Sequence, residues 1–228
     1  MRVLPILFNT DMVRGIMDGR KTVTRRVIKG LPDGTYDVKF NGEEWEALFG
    51  TVGKGACFDF YKELKLPCQT GDILYVRETW QECCRNTIHS QIVHNKYCFK
   101  ASVDNPIYGC IDRECGQICN WKPSIHMPKE AARIWLKVTD VRVERLQDIT
   151  DEQAKAEGAN WKNGKNVGFE EKMRRTAVER FAEIWDSTIK KSDLGLYGFD
   201  ANPFVWAIEF ERCEKPDIRN GGDASGRK

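Results

Sequence analysis

Residues 19–26 read Gly-Arg-Lys-Thr-Val-Thr-Arg-Arg, a stretch that places four cations and two hydroxyls directly behind a short predicted helix. Asn9 caps that helix, Gly19 ends it, and its apolar face consists of Met12, Val13, Ile16 and Met17. Such a stretch suits a phosphate grip built on Lys21 and Arg26, or a threonine nucleophile with a base beside it. A solvated basic loop without a ligand is the third interpretation.

The composition limits the broad class of the protein. A chain of 228 residues supports one good core with an insertion, and is too short for two large domains. It carries 36 lysines and arginines against 34 aspartates and glutamates, a formal net charge of +2. Anion binding would therefore need a local patch, such as residues 14–29.

Cysteine usage and hydropathy point to the cytoplasm. The chain has nine cysteines, an odd number, and Cys83-Cys84 is an awkward pair for disulfides, so we expect reduced thiols. No run approaches the roughly twenty apolar residues of a membrane span, and the start, Met-Arg-Val-Leu-Pro, lacks the apolar region of a signal peptide. We expect no membrane contact and a location in the cytosol of a bacterium or a phage-infected host.

Several segments have the alternation or apolar content of strands. Asn41-Gly42 predicts a two-residue turn between two of them, and a phase slip at Thr139-Asp140 predicts a bulge in another. The predicted strands cover residues 4–8, 36–40, 43–49, 73–77, 97–101, 133–145 and 204–211.

Two helices are predicted in the second half of the chain. Thr150 and Gln153 form a capping-box pattern that opens a helix of about two turns, closed by Gly158. A longer helix follows, because apolar residues recur every four positions at Phe169, Met173, Ala177, Phe181 and Trp185.

This order of elements is that of a small mixed barrel, and three motifs carry a resemblance to a known family. The motifs are the octapeptide of residues 19–26, Gly71-Asp-Ile-Leu-Tyr-Val, and Ile208-Glu-Phe-Glu-Arg. The chain resembles the ASCH family, whose domains are PUA-like and associated with RNA. The resemblance implies an α+β fold: a PUA-like mixed β-barrel with short flanking helices and two inserted segments, at about residues 30–68 and 81–122. We expect one domain over residues 1–213 and a disordered tail over residues 214–228.

The chain is similar in particular to the larger ASCH proteins of phages and prophages. This similarity extends nearly to Arg212 and implies the family rather than a function. It rests on Val76-Arg-Glu-Thr-Trp, Pro123-Ser-Ile-His-Met-Pro and Val138-Thr-Asp-Val-Arg-Val-Glu-Arg-Leu-Gln-Asp-Ile.

A further resemblance is to the small ASCH enzymes that hydrolyse N4-acetylcytidine with a Lys, a Thr and a Glu. Their Lys-Thr-x-Thr motif falls on residues 21–24, which places the catalytic lysine on Lys21 and the nucleophile on Thr24. Laying the helix of residues 149–158 over theirs places the carboxylate on Glu157. No cofactor is implied.

The chemistry of this set depends on the charge of Lys21. A threonine hydroxyl reacts at neutral pH only when a neighbouring base takes its proton. Arg20, Arg25 and Arg26 would push the pKa of Lys21 down, whereas Glu157 would hold the lysine charged. Glu157 could therefore orient Lys21 or carry the proton to the leaving amine, and the sequence leaves both roles open.

Other side chains are candidates for binding RNA or a nucleoside. Arg20, Arg25 and Arg26 could contact phosphates or a base edge, and Trp80 and Trp121 could stack on a base or belong to the core. Glu78 could read an exocyclic amine, or pair internally with Arg77 or Arg133. His126 could line the pocket or be structural.

The cysteines and histidines of the second insertion supply soft ligands, but their spacing is not that of a standard zinc ribbon, so we predict no metal.

The sequence thus predicts a protein that binds RNA or a modified nucleoside, with hydrolysis of an N-acylated cytidine as the more specific hypothesis. Non-catalytic nucleic-acid binding and a structural or accessory role in a phage stay open.

Overall fold

A computed structural model of the chain describes residues 1–53, 56–82, 97–102, 120–159 and 176–216. Strands outnumber helices, and most of them follow one another without an intervening helix, as expected for an α+β protein. The helices are α1 Thr10–Met17, α2 Asp151–Ala156, α3 Ala177–Thr188 and α4 Leu194–Tyr197. The strands are β1 Val3–Leu7, β2 Val23–Val27, β3 Thr35–Phe40, β4 Trp45–Gly53, β5 Ala56–Leu64, β6 Ile73–Arg77, β7 Trp80–Glu82, β8 Tyr97–Phe99, β9 Trp135–Arg145 and β10 Phe204–Cys213.

A five-stranded sheet in the order β1-β6-β9-β10-β2 forms the centre of the fold. β1 and β6 are parallel, and the other neighbours are antiparallel. In β9 the pairing skips Thr139, because Glu209 lies opposite Asp140 whereas Phe210 lies opposite Val138. The bulge predicted at Thr139-Asp140 is therefore confirmed, and it lets both halves of β9 face the core.

The α+β class is confirmed, but the strands that the structure describes do not close into a barrel. β1 and β2 are the two edges of the central sheet and share no backbone ladder. A side chain joins them instead: Arg26 Nη2 on β2 donates to the carbonyl of Leu7 at the end of β1, at 2.9 Å. The two edges thus approach each other without pairing.

The first insertion forms a separate three-stranded antiparallel sheet, β3-β4-β5. The predicted hairpin at Asn41-Gly42 is confirmed, but its connection has four residues instead of two, because Phe40 pairs with Trp45. Within it the Asn41 side chain accepts the backbone N–H groups of Glu43 and Glu44, and Gly42 has a φ of 107°. The prediction of loops after this hairpin is wrong, because β5 adds a third strand. β5 is not evident from the sequence, since its apolar residues do not alternate and the strand depends on pairing with β4.

α1 and α2 begin and end where their caps predict, whereas the longer predicted helix has its cap at Thr176, so α3 begins at Ala177. The side chain of Asn9 accepts the Met12 N–H at the start of α1, and Gly19 follows the helix with a φ of 72°. Thr150 and Gln153 form the predicted capping box of α2, and Gly158 follows it with a φ of 90°. α3 packs on α2 and β10 through Phe181 and Trp185.

Parts of the predictions fall outside the described residues. Among these are Phe169 and Met173, most of the second insertion, and the tail beyond residue 216. The longest described helix, α3, has 12 residues, and none in the described part of the chain has the length and apolar content to cross a bilayer.

Candidate active site

Lys21 occupies a narrow slot between α1, β2 and the end of α2. A Cβ added to Gly15 of α1 would lie 3.3 Å from Lys21 Cβ, and one added to Gly158 would lie 3.7 Å from it. The backbone N–H of Thr22 donates to Ala156 at 2.9 Å, which ties the start of β2 to α2. Residues 19–26 are therefore a turn only in their first half, since the second half belongs to β2.

The ammonium group of Lys21 is buried and has an acceptor for each of its three protons. Its Nζ donates to the Val23 carbonyl at 2.7 Å, to the Glu157 carbonyl at 3.0 Å, and to Glu157 Oε2 at 2.6 Å. Burial lowers the pKa of Lys21, Glu157 opposes this shift, and Arg26 and Arg25 add to it, leaving the pKa below its ordinary value. The three acceptors favour the charged form of Lys21, whereas burial brings the pKa of Lys21 closer to neutral pH.

The carboxylate of Glu157 is shared between two cations. Its Oε2 accepts from Lys21, and its Oε1 accepts a longer bond of 3.3 Å from Arg25 Nη1. Arg25 is itself fully buried and donates twice to Glu144 Oε2, at 2.7 and 3.2 Å, and once to Gln153 at 3.2 Å. The result is a buried ion-pair cluster at the end of α2.

Thr24 lies beside this cluster with its hydroxyl inside the protein. The side chain is 1% exposed, and Oγ1 has no hydrogen-bond partner among the described residues. Thr24 lines a cavity of about 490 Å³ together with Glu157, Arg25, Arg26 and Lys29. Most of the remaining wall is apolar and includes Leu7, Val27, Phe181, Ile184, Trp185 and Ile189. Buried hydroxyls in proteins usually have partners, so the hydrogen-bonding capacity of this one is left unused by the described residues.

Arg26 supplies a positive charge to the same cavity. Its guanidinium donates to Leu7 and lies over the ring of Phe8, 5.3 Å from the ring centroid. Burial lowers the pKa of Arg26 and Glu157 raises it, with a net shift below the ordinary value. Because Arg26 is held on two sides, its positive charge has a fixed position in the cavity wall.

The other predicted site residues lie elsewhere, and none of them lines this cavity. Arg20 pairs with Asp18 at 2.8 Å on the surface. Glu78 is buried and pairs with Arg133 at 2.8 and 3.0 Å, which is the internal pair considered as its alternative role. The last three belong to the region around β7: Trp80 is buried in a core cluster, Trp121 is half-buried and His126 is exposed.

Sequence reasoning missed Glu144 and assigned Phe181 and Trp185 to the core alone. Both aromatics are core residues, and their edges also line the cavity. One signal in the sequence pointed to Glu144. Asp140, Arg142 and Glu144 are charged residues at every second position of β9, a pattern that indicates a charged face of the sheet.

A smaller groove of about 320 Å³ adjoins the far side of Glu157, and its lining includes Asn9, Asp11, Gly158, Arg180 and Glu183. No group of three or more His, Cys, Asp or Glu side chains is placed to hold a metal ion within the described ranges. The cysteines and histidines considered for zinc lie outside these ranges, except for buried Cys98.

Comparison of the chain with protein-family models, with curated proteins and with solved structures found no match.

Proposed function

We propose that this protein is an ASCH-type amidohydrolase that cleaves the N-acyl bond of a modified nucleoside such as N4-acetylcytidine. One observation carries the proposal: Thr24, whose hydroxyl has no hydrogen-bond partner in the described part of the chain, lines the same cavity as Glu157, and Glu157 bonds to Lys21 at 2.6 Å. The family resemblance selects the same three residues from distant parts of the chain. We also propose that the fold belongs to the PUA-like class. In this proposal, the contact between Arg26 and Leu7 marks the place where the two edge strands, β2 and β1, come together.

In the first step, Thr24 Oγ attacks the acyl carbon and the carbon–nitrogen bond breaks. The hydroxyl proton passes to Glu157 and from there to the leaving amine, so the products are an acyl-threonine and a free amino group. Glu157 Oε1 suits this role, because the one hydrogen bond that it accepts from the described residues is the 3.3 Å bond from Arg25. Lys21 holds the other oxygen and keeps the carboxylate in place.

In the second step, water attacks the acyl-threonine, releases the carboxylic acid and restores the hydroxyl. Both steps pass through a tetrahedral oxyanion. Arg26 lines the cavity and is anchored by Leu7 and Phe8, so its positive charge is in place before the reaction begins. Preorganised charge of this kind commonly makes the largest contribution to catalysis.

The cavity suits a nucleoside better than a nucleic-acid backbone. Its volume of about 490 Å³ is in the range of small-molecule sites, and its apolar wall on α3 offers aromatic surface for a base. A phosphate grip would need accessible cations, but the side chains of Lys21 and Arg25 are 0% exposed and already paired. The other basic residues that line the cavity are Arg26 and Lys29.

The test is incubation of the purified protein with N4-acetylcytidine, followed by measurement of cytidine and acetate. We expect turnover by the wild type and a loss of about 10³-fold or more in Thr24→Ala, as is common when a nucleophile is removed. Thr22→Ala is the matched control, because Thr22 is exposed and two residues away on the same stretch. Absence of turnover by the folded wild type across a series of N-acylated cytidines would exclude the proposal.

A further inference from the structure

Arg25 is held from the side opposite to the cavity by a second carboxylate, Glu144 of β9. Glu144 Oε2 accepts both Nη2 and Nε of Arg25, at 2.7 and 3.2 Å. Its other oxygen accepts Nε of Arg142 at 2.5 Å, and Arg142 also contacts Asp140 and Glu209. A continuous line of ionic contacts therefore leads from Lys21 through Glu157, Arg25 and Glu144 to the half-buried Arg142.

The strand register makes this line possible. Arg25 on β2 and Arg142 on β9 lie directly opposite the same residue, Ala207, on the intervening strand β10. Ala207 is fully buried, and in the strand register its small methyl group lies between the two arginines. Glu144 is two residues from Arg142 on β9, so it shares this face of the sheet and reaches Arg25 diagonally.

The charges of the buried cluster balance only when Glu144 is included. Lys21 and Arg25 carry two positive charges, and Glu157 and Glu144 carry two negative charges, with side-chain exposures of 0%, 0%, 5% and 14%. Without Glu144, the hydrogen-bond acceptors of the Arg25 side chain in the described part of the chain would be Gln153 and Glu157. A buried unpaired guanidinium is unfavourable, so Arg25 would then move closer to Glu157 Oε1 and compete with Lys21 for its carboxylate.

We infer that Glu144 is a positioning residue of the site: by engaging Arg25 it keeps the bond between Arg25 and Glu157 long, which leaves Glu157 Oε1 available to accept the proton of Thr24. Glu144 does not line the cavity and acts only through Arg25. The consequence for reaction rate rests on the proposed function. The consequence for the Lys21–Glu157 pair does not, and it can be measured without a substrate.

The test uses Glu144→Gln with two readouts. The first is kcat and KM on N4-acetylcytidine, where we expect kcat to fall about 10-fold to 100-fold with KM nearly unchanged, because misplacement of a catalytic group affects the chemical step. The second is titration of the Lys21 side chain by NMR, where we expect its pKa to fall further below the wild-type value. Both the loss of a negative charge and the approach of Arg25 to Glu157 act in that direction.

Glu211→Gln is the matched control, since Glu211 lies on β10 in an exposed pair with Lys137 at 3.8 Å and should change neither readout. If Glu144→Gln does not fold, Glu144→Asp takes its place. It keeps the charge but retracts the carboxylate by one methylene, so smaller shifts of the same sign are expected.

The two proposals fail in different ways. Inactivity of the folded wild type on acylated cytidines would overturn the proposed function, and the Lys21 titration would then decide the role of Glu144 alone. A Lys21 titration curve in the Glu144 variant that superimposes on that of the wild type would overturn the positioning role. An unchanged kcat in an active protein would overturn it as well.

Discussion

Gly15 and Gly158 face each other across the aliphatic stem of Lys21, one from α1 and the other from the turn after α2. The two positions differ in what they require of the backbone. Gly158 has a φ of 90°, a conformation that residues with a Cβ rarely adopt, whereas Gly15 is helical and is constrained by space alone.

Replacement of Gly158 by alanine should lower the free energy of unfolding by about 1 to 3 kcal/mol, the usual cost of a strained backbone position. The measurement is urea unfolding followed by far-UV circular dichroism. Gly195→Ala is the control, because Gly195 lies in α4 and a Cβ there would meet no atom within 4 Å. Equal stability of the two variants would contradict the strain at Gly158.

Removal of both members of the Lys21–Glu157 pair should cost less stability than the sum of the two single removals. Lys21→Met leaves a carboxylate that is 5% exposed without its closest cation, and should destabilise the protein by about 3 to 5 kcal/mol. The double variant Lys21→Met with Glu157→Gln leaves no unpaired carboxylate, so it should lose less than the sum of the single changes. Additive losses in this double-mutant cycle would argue against a coupled pair.

Asp72 should make the protein sensitive to acid. Burial raises the pKa of Asp72, but hydrogen bonds from Arg2 and Gln69 outweigh burial, so the pKa lies below its ordinary value. A carboxyl with a lowered pKa in the folded state contributes stability above its unfolded pKa of about 4, and that contribution is lost as the pH falls through the folded value.

The expected result is a stability difference between the wild type and Asp72→Asn that is largest near neutral pH and shrinks in acid. Urea unfolding at a series of pH values from neutral to about 2.5 measures it. A difference that stays constant over this range would show that the Asp72 carboxyl is not the group responsible.

Cys68 should resist alkylation in the folded protein. Burial raises the pKa of its thiol to about 11, and Asp72 adds to the shift, so little thiolate is present at pH 8. Treatment with iodoacetamide, followed by peptide mass spectrometry, should label Cys68 only after addition of denaturant. Rapid labelling in the native state would contradict the buried position of this residue.

The sequence was sufficient where structure depends on near neighbours. Thr150 and Gln153 are three residues apart, so the capping box of α2 could be predicted, as could the hairpin at Asn41-Gly42, although not the length of its turn. The bulge at Thr139 was predictable because a change of phase in the alternation of apolar residues is itself a local signal.

Contacts that depend on strand order were harder to predict from the sequence. Arg25 and Glu144 are 119 residues apart and meet diagonally across β10, where Arg25 lies opposite Ala207 and Glu144 lies opposite Val205. The link between Lys21 and Glu157 could be anticipated from family resemblance, whereas residue spacing alone contains no trace of it. The open sheet, in place of the expected closed barrel, likewise depends on how its edges meet.

The slot that receives Lys21 also sets the order in which this protein can be assembled during synthesis. The segments that surround the lysine first, α1 and β2, leave the ribosome more than a hundred residues before Glu157, the partner that balances its charge. Until then the ammonium group must stay hydrated, since burial without Glu157 would be strongly unfavourable. The site around Lys21 can therefore form only after Glu157 has been synthesised. A nascent chain that ends before α2 would leave apolar residues of the core exposed, and chaperones bind such surfaces.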